Sequence, residues 1–273
     1  MRVRKRKGKK RMKVAFLGFD LLFSALEALA AEGCEILKIF TCPVDGVTEF
    51  NTRTVRFAKE RGIPLTDARI SRADLDSLEA AGCALVLCAG YYFRAPISAR
   101  MPMVNVHPAP LPACRGAWPM PQILLGAYPH GGVTVHRMAA DFDTGDILLQ
   151  EDFPISESDT LDDYMAKANA LVPPLVRHLV RHLPDCLKNA KPQGAGRYLA
   201  APTAEDMTVK SGMTVSEADR ILRAFYGHEC RYEGKEGVCT VLGARAVKNR
   251  ETPNALPLSD GWVVAKQVRK EDF

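Results

Sequence analysis

An α/β fold is what this sequence predicts: a Rossmann-like, mostly parallel sheet wrapped by helices and followed by a small C-terminal α+β or β unit. Three observations carry that expectation. Short apolar runs alternate with helix-patterned segments through residues 13–89, the rhythm of β-α-β units. The runs are apolar throughout, as strands covered on both faces are. From residue 188 the chain reads KNAKPQGAGRYLAAPT, a linker-like composition, and the patterns beyond it are shorter.

In order, residues 13–19 (KVAFLGF) read as a buried first strand bounded by Gly18 and Asp20. Residues 21–31 follow as a helix with Asp20 as its cap. The Gly-x-Gly-x-x-Gly fingerprint is absent and only Gly18 stands there, which disfavours a dinucleotide. Residues 34–41 form a second strand, 52–61 a helix closed by Gly62, and 63–65 a short third strand. A helix at 72–81 leads to the fully apolar strand 84–89. Residues 117–125 form a helix with Pro119 and Pro121 in its first turn. Strands are expected at 133–138 and 147–150. Asp159 and Thr160 introduce a helix that Pro173-Pro174 should break or kink before it resumes to Leu183. Beyond the linker, 216–225 is an amphipathic helix and about three strands complete a small unit. The expected organisation is a basic tail at 1–11, a main domain at 12–189, a linker at 190–208 and a small domain at 209–273. That last unit is marginal alone, so it packs on the first domain or on a second subunit, which leaves a homodimer open.

Composition narrows the class. An apolar content of 47% excludes a disordered chain, and no window reaches the roughly 18 consecutive apolar residues of a spanning helix. The N-terminus is charged without the apolar core of a signal peptide, so the expected location is the cytoplasm, away from membranes. Residues 1–11 hold eight of the 37 Lys and Arg, and the rest of the chain is 29 basic against 32 acidic. The run reads as a disordered tail, or as sequence ahead of a start at Met12, in preference to a nucleic-acid arm. Eight cysteines show no C-x-x-C and no paired ligand spacing, so they are read as reduced thiols and no metal is expected. His178 and His182 share a helix face at i, i+4 but lack a third ligand.

The chemistry concentrates in residues 103–150. Strand periodicity puts Asn105 and His107 on one face of a short strand, at its end. Pro108, Pro110 and Pro112 then stop the strand and release a loop. Strand ends are where open α/β sheets bind ligands. A carboxylate-rich turn, Asp141-Phe142-Asp143-Thr144-Gly145-Asp146, lies downstream, so an amide, an imidazole and a carboxylate can meet there. The aromatic stretch Tyr91-Tyr92-Phe93 emerges from the preceding strand at the same sheet edge, either capping the core or walling a slot for a flat ring.

Together these motifs resemble the folate-dependent formyltransferases. Asn105-Val106-His107 matches that family's N-x-H, residues 111–119 (LPACRGAWP) its L-P-x-x-R-G-x-x-P loop, Gly132-Val133-Thr134 its G-V-T strand and Asp143 to Asp146 its D-T-G-D. Residues 220–225 (RILRAF) look like a helix of its C-terminal domain. The resemblance implies formyl transfer from 10-formyltetrahydrofolate to a primary amine, with Asn105, His107 and Asp143 catalytic and no metal. Asn105 and a protonated His107 would then stabilise an oxyanion, and Asp143 would keep His107 charged. It also implies a pterin slot between Ala89, Gly90, Tyr91, Tyr92 and Phe93 on one side and Ala139, Ala140 and Asp141 on the other, read by main-chain groups. By loop position Arg115 and Trp118 would face the acceptor, with a structural Arg115 as the alternative.

The family's acceptors include methionyl-tRNA, nucleotide-linked amino sugars and glycinamide ribonucleotide, and some members release formate instead. Residues 43–51 (PVDGVTEFN) hold two acids and no Lys or Arg where tRNA-modifying members carry a basic insertion. With an acidic body and a short C-terminal unit, that favours a sugar nucleotide over tRNA. A catalytically silent folate or amine binder is the alternative of another class, since Pro108-Ala109-Pro110 departs from the family's usual small polar residues after the His.

Overall fold

The computed structural model describes residues 11–46, 49–250 and 252–270. All but Arg11 of the basic tail lies outside them. Strands β1 (Lys13–Gly18), β2 (Glu35–Phe40), β3 (Leu65–Thr66), β4 (Leu85–Ala89), β5 (Met103–His107), β6 (His130–Arg137) and β7 (Ile147–Pro154) form one sheet in the order β3-β2-β1-β4-β5-β6-β7. β3 through β5 run parallel, and β6 and β7 add an antiparallel edge.

Both faces of the central strands are buried, which is why they read as unbroken apolar runs. Val14 and Phe16 of β1, with Leu85 and Leu87 of β4, pack on one side with α1 (Phe23–Ala31). Ala15, Leu17, Val86 and Cys88 point the other way, toward Leu75 and Leu78 of α3 (Arg72–Ala80). The ends of β1 and β4 approach so closely that a side chain at Gly18 would collide with the Ala89 carbonyl. Here, where the strand order reverses, the sheet opens its ligand-binding edge.

Two local expectations are corrected. Asp20 does not cap the helix that follows it. A short 3₁₀ turn (Asp20–Leu22) intervenes, and the Asp20 carboxylate instead accepts from the amides of Arg53 and Thr54, at 2.9 Å each, at the start of α2 (Thr52–Arg61). The long helix α5 (Leu161–Arg181) runs through Pro173 and Pro174 without ending. Each internal proline costs about 3 kcal/mol. Beyond them Leu175, Val176 and Leu179 stay buried with Val172 just before, at about 1.5–3 kcal/mol per side chain, so the packed stripe wins. Its start is the expected one: Thr160 accepts from the Asp163 amide, and the Asp163 carboxylate accepts from the Thr160 amide.

Elsewhere the elements shift. The third strand falls at Leu65–Thr66 rather than 63–65, and the expected helix at 117–125 shrinks to α4 (Pro119–Gln122) followed by a wide turn through Gly126, whose φ is +101°. Helix α6 (Leu183–Lys188) then delivers the chain to the linker. The C-terminal unit has more strands than expected. β8 (Thr208–Lys210), β9 (Cys230–Gly234), β10 (Gly237–Leu242) and β14 (Gln267–Lys270) form one sheet, and β11 (Arg245–Val247), β12 (Leu256–Pro257) and β13 (Trp262–Val264) a second. Most are two to four residues long and β14 is exposed along its length, so no alternation marks them. Helix α7 (Val215–Ala224) packs between this unit and the segment formed by α4 and the wide turn that follows it. All eight cysteines are free. No helix among the described residues is long and apolar enough to cross a membrane.

Candidate functional site

Antiparallel pairing of β5 with β6 builds the floor of the site. Asn105 is opposite His136 and His107 opposite Thr134, so the period-two face that carries Asn105 and His107 also carries His136. Asn105 Nδ2 lies 3.1 Å from His136 Nε2. His136 Nδ1 is 2.8 Å from the Arg137 carbonyl, which can only accept, so Nδ1 carries the proton and Nε2 takes the Asn105 hydrogen. His136 escaped the sequence reading. Its signal was present in the alternation Thr134-Val135-His136, but only the strand register shows which face it shares.

The Asp143 turn closes over this floor. Arg137 N–H donates to the Asp146 carbonyl at 2.9 Å, and Gly145 sits so close to the Arg137 carbonyl that no side chain fits. Asp143 itself has φ +56°, a left-handed conformation that a non-glycine residue holds only under constraint. The reward is its position: Oδ1 is 3.6 Å from both His107 Nδ1 and His136 Nε2, and Oδ2 accepts from the Gly116 amide at 3.0 Å. The structure therefore brings together Asn105, His107 and Asp143, and adds His136.

Burial governs the charges. His107 is 5% exposed and Asp143 9%. Burial pushes the His107 pKa below its ordinary 6.5; Asp143 and the Cys114 carbonyl pull upward but do not restore it, and His136 adds to the depression. Burial thus favours the neutral imidazole and works against the charge expected of His107. His107 Nε2 donates to the Cys114 carbonyl at 2.8 Å, so the lone pair of the neutral ring is on Nδ1, facing Asp143. For Asp143, burial opposes ionisation, yet the facing rings of His107 and His136 and the hydrogen bond from the Gly116 amide outweigh it and hold the carboxyl at about 2. A lone pair and a carboxylate facing each other at 3.6 Å make a receptor for a proton or an N–H group.

The expected slot walls face one another. Arg94 bonds the Ala140 carbonyl and lies 3.5 Å from Asp141 Oδ1, bridging the loop after β4 to the segment before Asp143. Small residues, Ala89, Gly90, Ala139 and Ala140, bring main chain to both walls, as a flat ring read by amides and carbonyls requires. Tyr91 and Phe93 turn away. The Tyr91 hydroxyl accepts from the Ile70 amide at 3.0 Å, and its ring meets Phe93 edge-on at 5.4 Å. Tyr92, 46% exposed, leans on Phe19 and bonds Glu49.

The two residues expected to face the acceptor also make contacts within the chain. Arg115 reaches the linker: Nε and Nη2 bond Gln193 Oε1 at 3.1 and 2.9 Å, and Nη2 bonds the Gly194 carbonyl at 3.1 Å. Trp118 is half-buried against Phe225 and His228, ring centroids 5.8 and 4.8 Å away, and joins its loop to the C-terminal unit. Cys114, beside the site in sequence, is a buried thiol pushed up to about 11 by burial. His178 and His182 lie on an exposed helix face, rings 4.8 Å apart, and no cluster of three metal-ligating side chains occurs among the described residues.

Comparison with known proteins converges on one family. Residues 51–175 match the formyl transferase family model. A methionyl-tRNA formyltransferase of Treponema denticola is 29% identical over 167 residues, 59% of this chain and 52% of that protein. The chain thus spans about half the length of that relative. A methionyl-tRNA formyltransferase of Ruegeria pomeroyi is 25% identical over 270 residues, covering 93% of this chain and 88% of that protein. Among solved structures, an N-formyltransferase of Helicobacter canadensis, in complex with folinic acid and dTDP-3-aminofucose, superposes with a TM-score of 0.67 at 15% identity, covering 96% of this chain and all of the other, and so shares its fold. The motif residues gathered at this sheet edge all lie within residues 51–175, the segment that is similar to the formyl transferase family.

Proposed function

We propose that this protein transfers a formyl group from 10-formyltetrahydrofolate to a primary amine, with Asn105, His107 and Asp143 as its catalytic residues. The observation that carries the reading is the meeting of a neutral imidazole, an ionised buried carboxylate and a carboxamide at the binding edge of the sheet. The co-substrate, held between Ala89 to Phe93 and Ala139 to Asp141, supplies an electrophilic formyl carbon. As a neutral amine attacks that carbon, negative charge grows on the formyl oxygen and positive charge on the amine nitrogen. His107 Nδ1 takes the amine proton, and Asp143 stabilises the imidazolium so formed. Asn105 Nδ2, with one hydrogen beyond that given to His136, donates to the formyl oxygen. Proton return from His107 to the departing nitrogen completes the exchange.

A nucleotide-linked amino sugar is the acceptor we favour. Asp45, Glu49 and Asp162 lie close enough to His228 to raise its pKa against the burial that lowers it, so this side of the molecule is acidic and receives a compact amine more readily than a tRNA backbone. Methionyl-tRNA is the second reading, supported by the names of the curated relatives. The test is release of tetrahydrofolate from 10-formyltetrahydrofolate with no amine, with UDP- and dTDP-amino sugars, and with charged initiator tRNA. Release that depends on an amino sugar is expected. Equal release without amine identifies a hydrolase, and no release with any acceptor identifies a binder.

A further inference from the structure

The linker after α6 returns to the site. Lys191 pairs with Ile147 through two backbone hydrogen bonds of 2.8 Å, and residues 197–199 pair with Pro112 and Arg115 at 2.7 to 3.0 Å. Between these anchors Gln193 is half-buried and makes four contacts. Its Nε2 donates to the Asp143 carbonyl at 2.9 Å and to the Gly145 carbonyl at 2.6 Å, while its Oε1 accepts twice from Arg115. Gly196 and Gly116 permit this docking: a side chain at 196 would meet the Pro112 carbonyl, and one at 116 the Leu199 carbonyl.

We infer that Gln193 is a positioning residue, a linker side chain that holds Asp143 in its left-handed conformation and so keeps the carboxylate aimed at His107. Three facts on different elements support the assignment. Asp143 is the one described non-glycine residue with positive φ, and such a conformation persists only where surrounding bonds over-determine it. Gln193 grips the carbonyls on either side of Thr144, so it fixes the turn rather than the side chain alone. Through Arg115 it also ties that turn to the loop whose next residue, Gly116, gives its amide to Asp143 Oδ2. One carboxamide thus closes a ring of contacts through Asp143, Gly116 and Arg115.

The inference rests on the formyl-transfer reading, and two variants separate positioning from simple docking of the linker. Gln193→Glu keeps an acceptor for Arg115 but loses both N–H donations; Gln193→Leu loses everything. Both should fold, with melting temperatures near the native one. Both should lose on the order of 10- to 100-fold in kcat, the cost of slight misplacement of a reacting group, with KM for 10-formyltetrahydrofolate within about twofold. Native kcat in Gln193→Glu would overturn the assignment, since the Arg115 contact would then be all that matters. A second readout needs no turnover: the Gly116 amide, protected by Asp143 Oδ2, should exchange its hydrogen faster in both variants. Unchanged protection in Gln193→Glu overturns the inference even if the native protein transfers no formyl group. Native protein without turnover, but with faster exchange in the variants, overturns only the reading of the reaction.

Discussion

The reacting edge and the rim of the slot lie within a few residues of one another but are held by different means. At the edge, His107 is seated by strand register and the Cys114 carbonyl, and Asp143 by the Gly116 amide and the Gln193 clamp on its carbonyl. Both side chains are nine-tenths buried or more. At the rim, Arg94, Tyr92 and Phe142 are held by side-chain contacts in solvent; Phe142 is 53% exposed and Arg94 lies 5.9 Å over its ring. The proposed reacting groups are thus held largely through backbone, where tolerance is small, and the rim through exposed side chains, where substitution is cheap.

That contrast breaks if the edge tolerates change. His107→Ala and Asp143→Asn should each lower kcat by roughly 100- to 1,000-fold, the scale of removing one preorganised group in acyl chemistry, while circular dichroism and melting remain near native. Gly145→Ala comes next, because the new side chain would strike the Arg137 carbonyl. It should cost on the order of 2–3 kcal/mol, read as a melting temperature lower by roughly 5–8 °C, and reduce kcat with it.

The pH response sharpens the same point. A buried neutral His107 binds fewer protons below pH 6.5 than the unfolded chain does, so stability present above 6.5 falls with pH through that window. Asp143, held at about 2, adds stability above its ordinary value near 4 that disappears as pH drops toward 2. His107→Ala should flatten the first decline in a denaturant series and leave the second. The kcat/KM profile should keep its acid limb below pH 6.5. Removing the upward pull of Asp143 in Asp143→Asn should move the His107 titration, followed by NMR, lower still. At the rim the effects shrink: Arg94→Ala should raise KM for the donor about fivefold, one exposed hydrogen bond's worth, with kcat unchanged, and Tyr92→Phe should stay within about twofold in both.

Legibility in the sequence follows the same division. Asn105 and His107 were readable because strand periodicity is local and the prolines after them mark where the strand stops. A carboxylate was expected from the composition of residues 141–146, and the resemblance of Asp143 to Asp146 to the family's D-T-G-D singled out Asp143. His136 was not, because its face depends on pairing with β5, and Gln193 was not, because a linker has no period and its partners stand 48 to 78 residues away. The balance of forces at His107 was hidden for a related reason: a neighbouring carboxylate is visible in a motif, whereas the burial that opposes it is a property of the folded whole. In the fold, doubly covered strands announced themselves by unbroken apolar runs, while the short strands of the C-terminal unit and the passage of α5 through two prolines depended on partners far along the chain.

The misplaced cap at Asp20 has an evolutionary consequence. By binding the amides at the head of α2, that carboxylate pins the far end of the crossover leaving β2, and the Asn51 carboxamide, bonded to the Cys42 carbonyl at 3.2 Å, draws its two ends together. A segment clamped at both feet can grow or shrink between them at little entropic cost and without shifting the sheet.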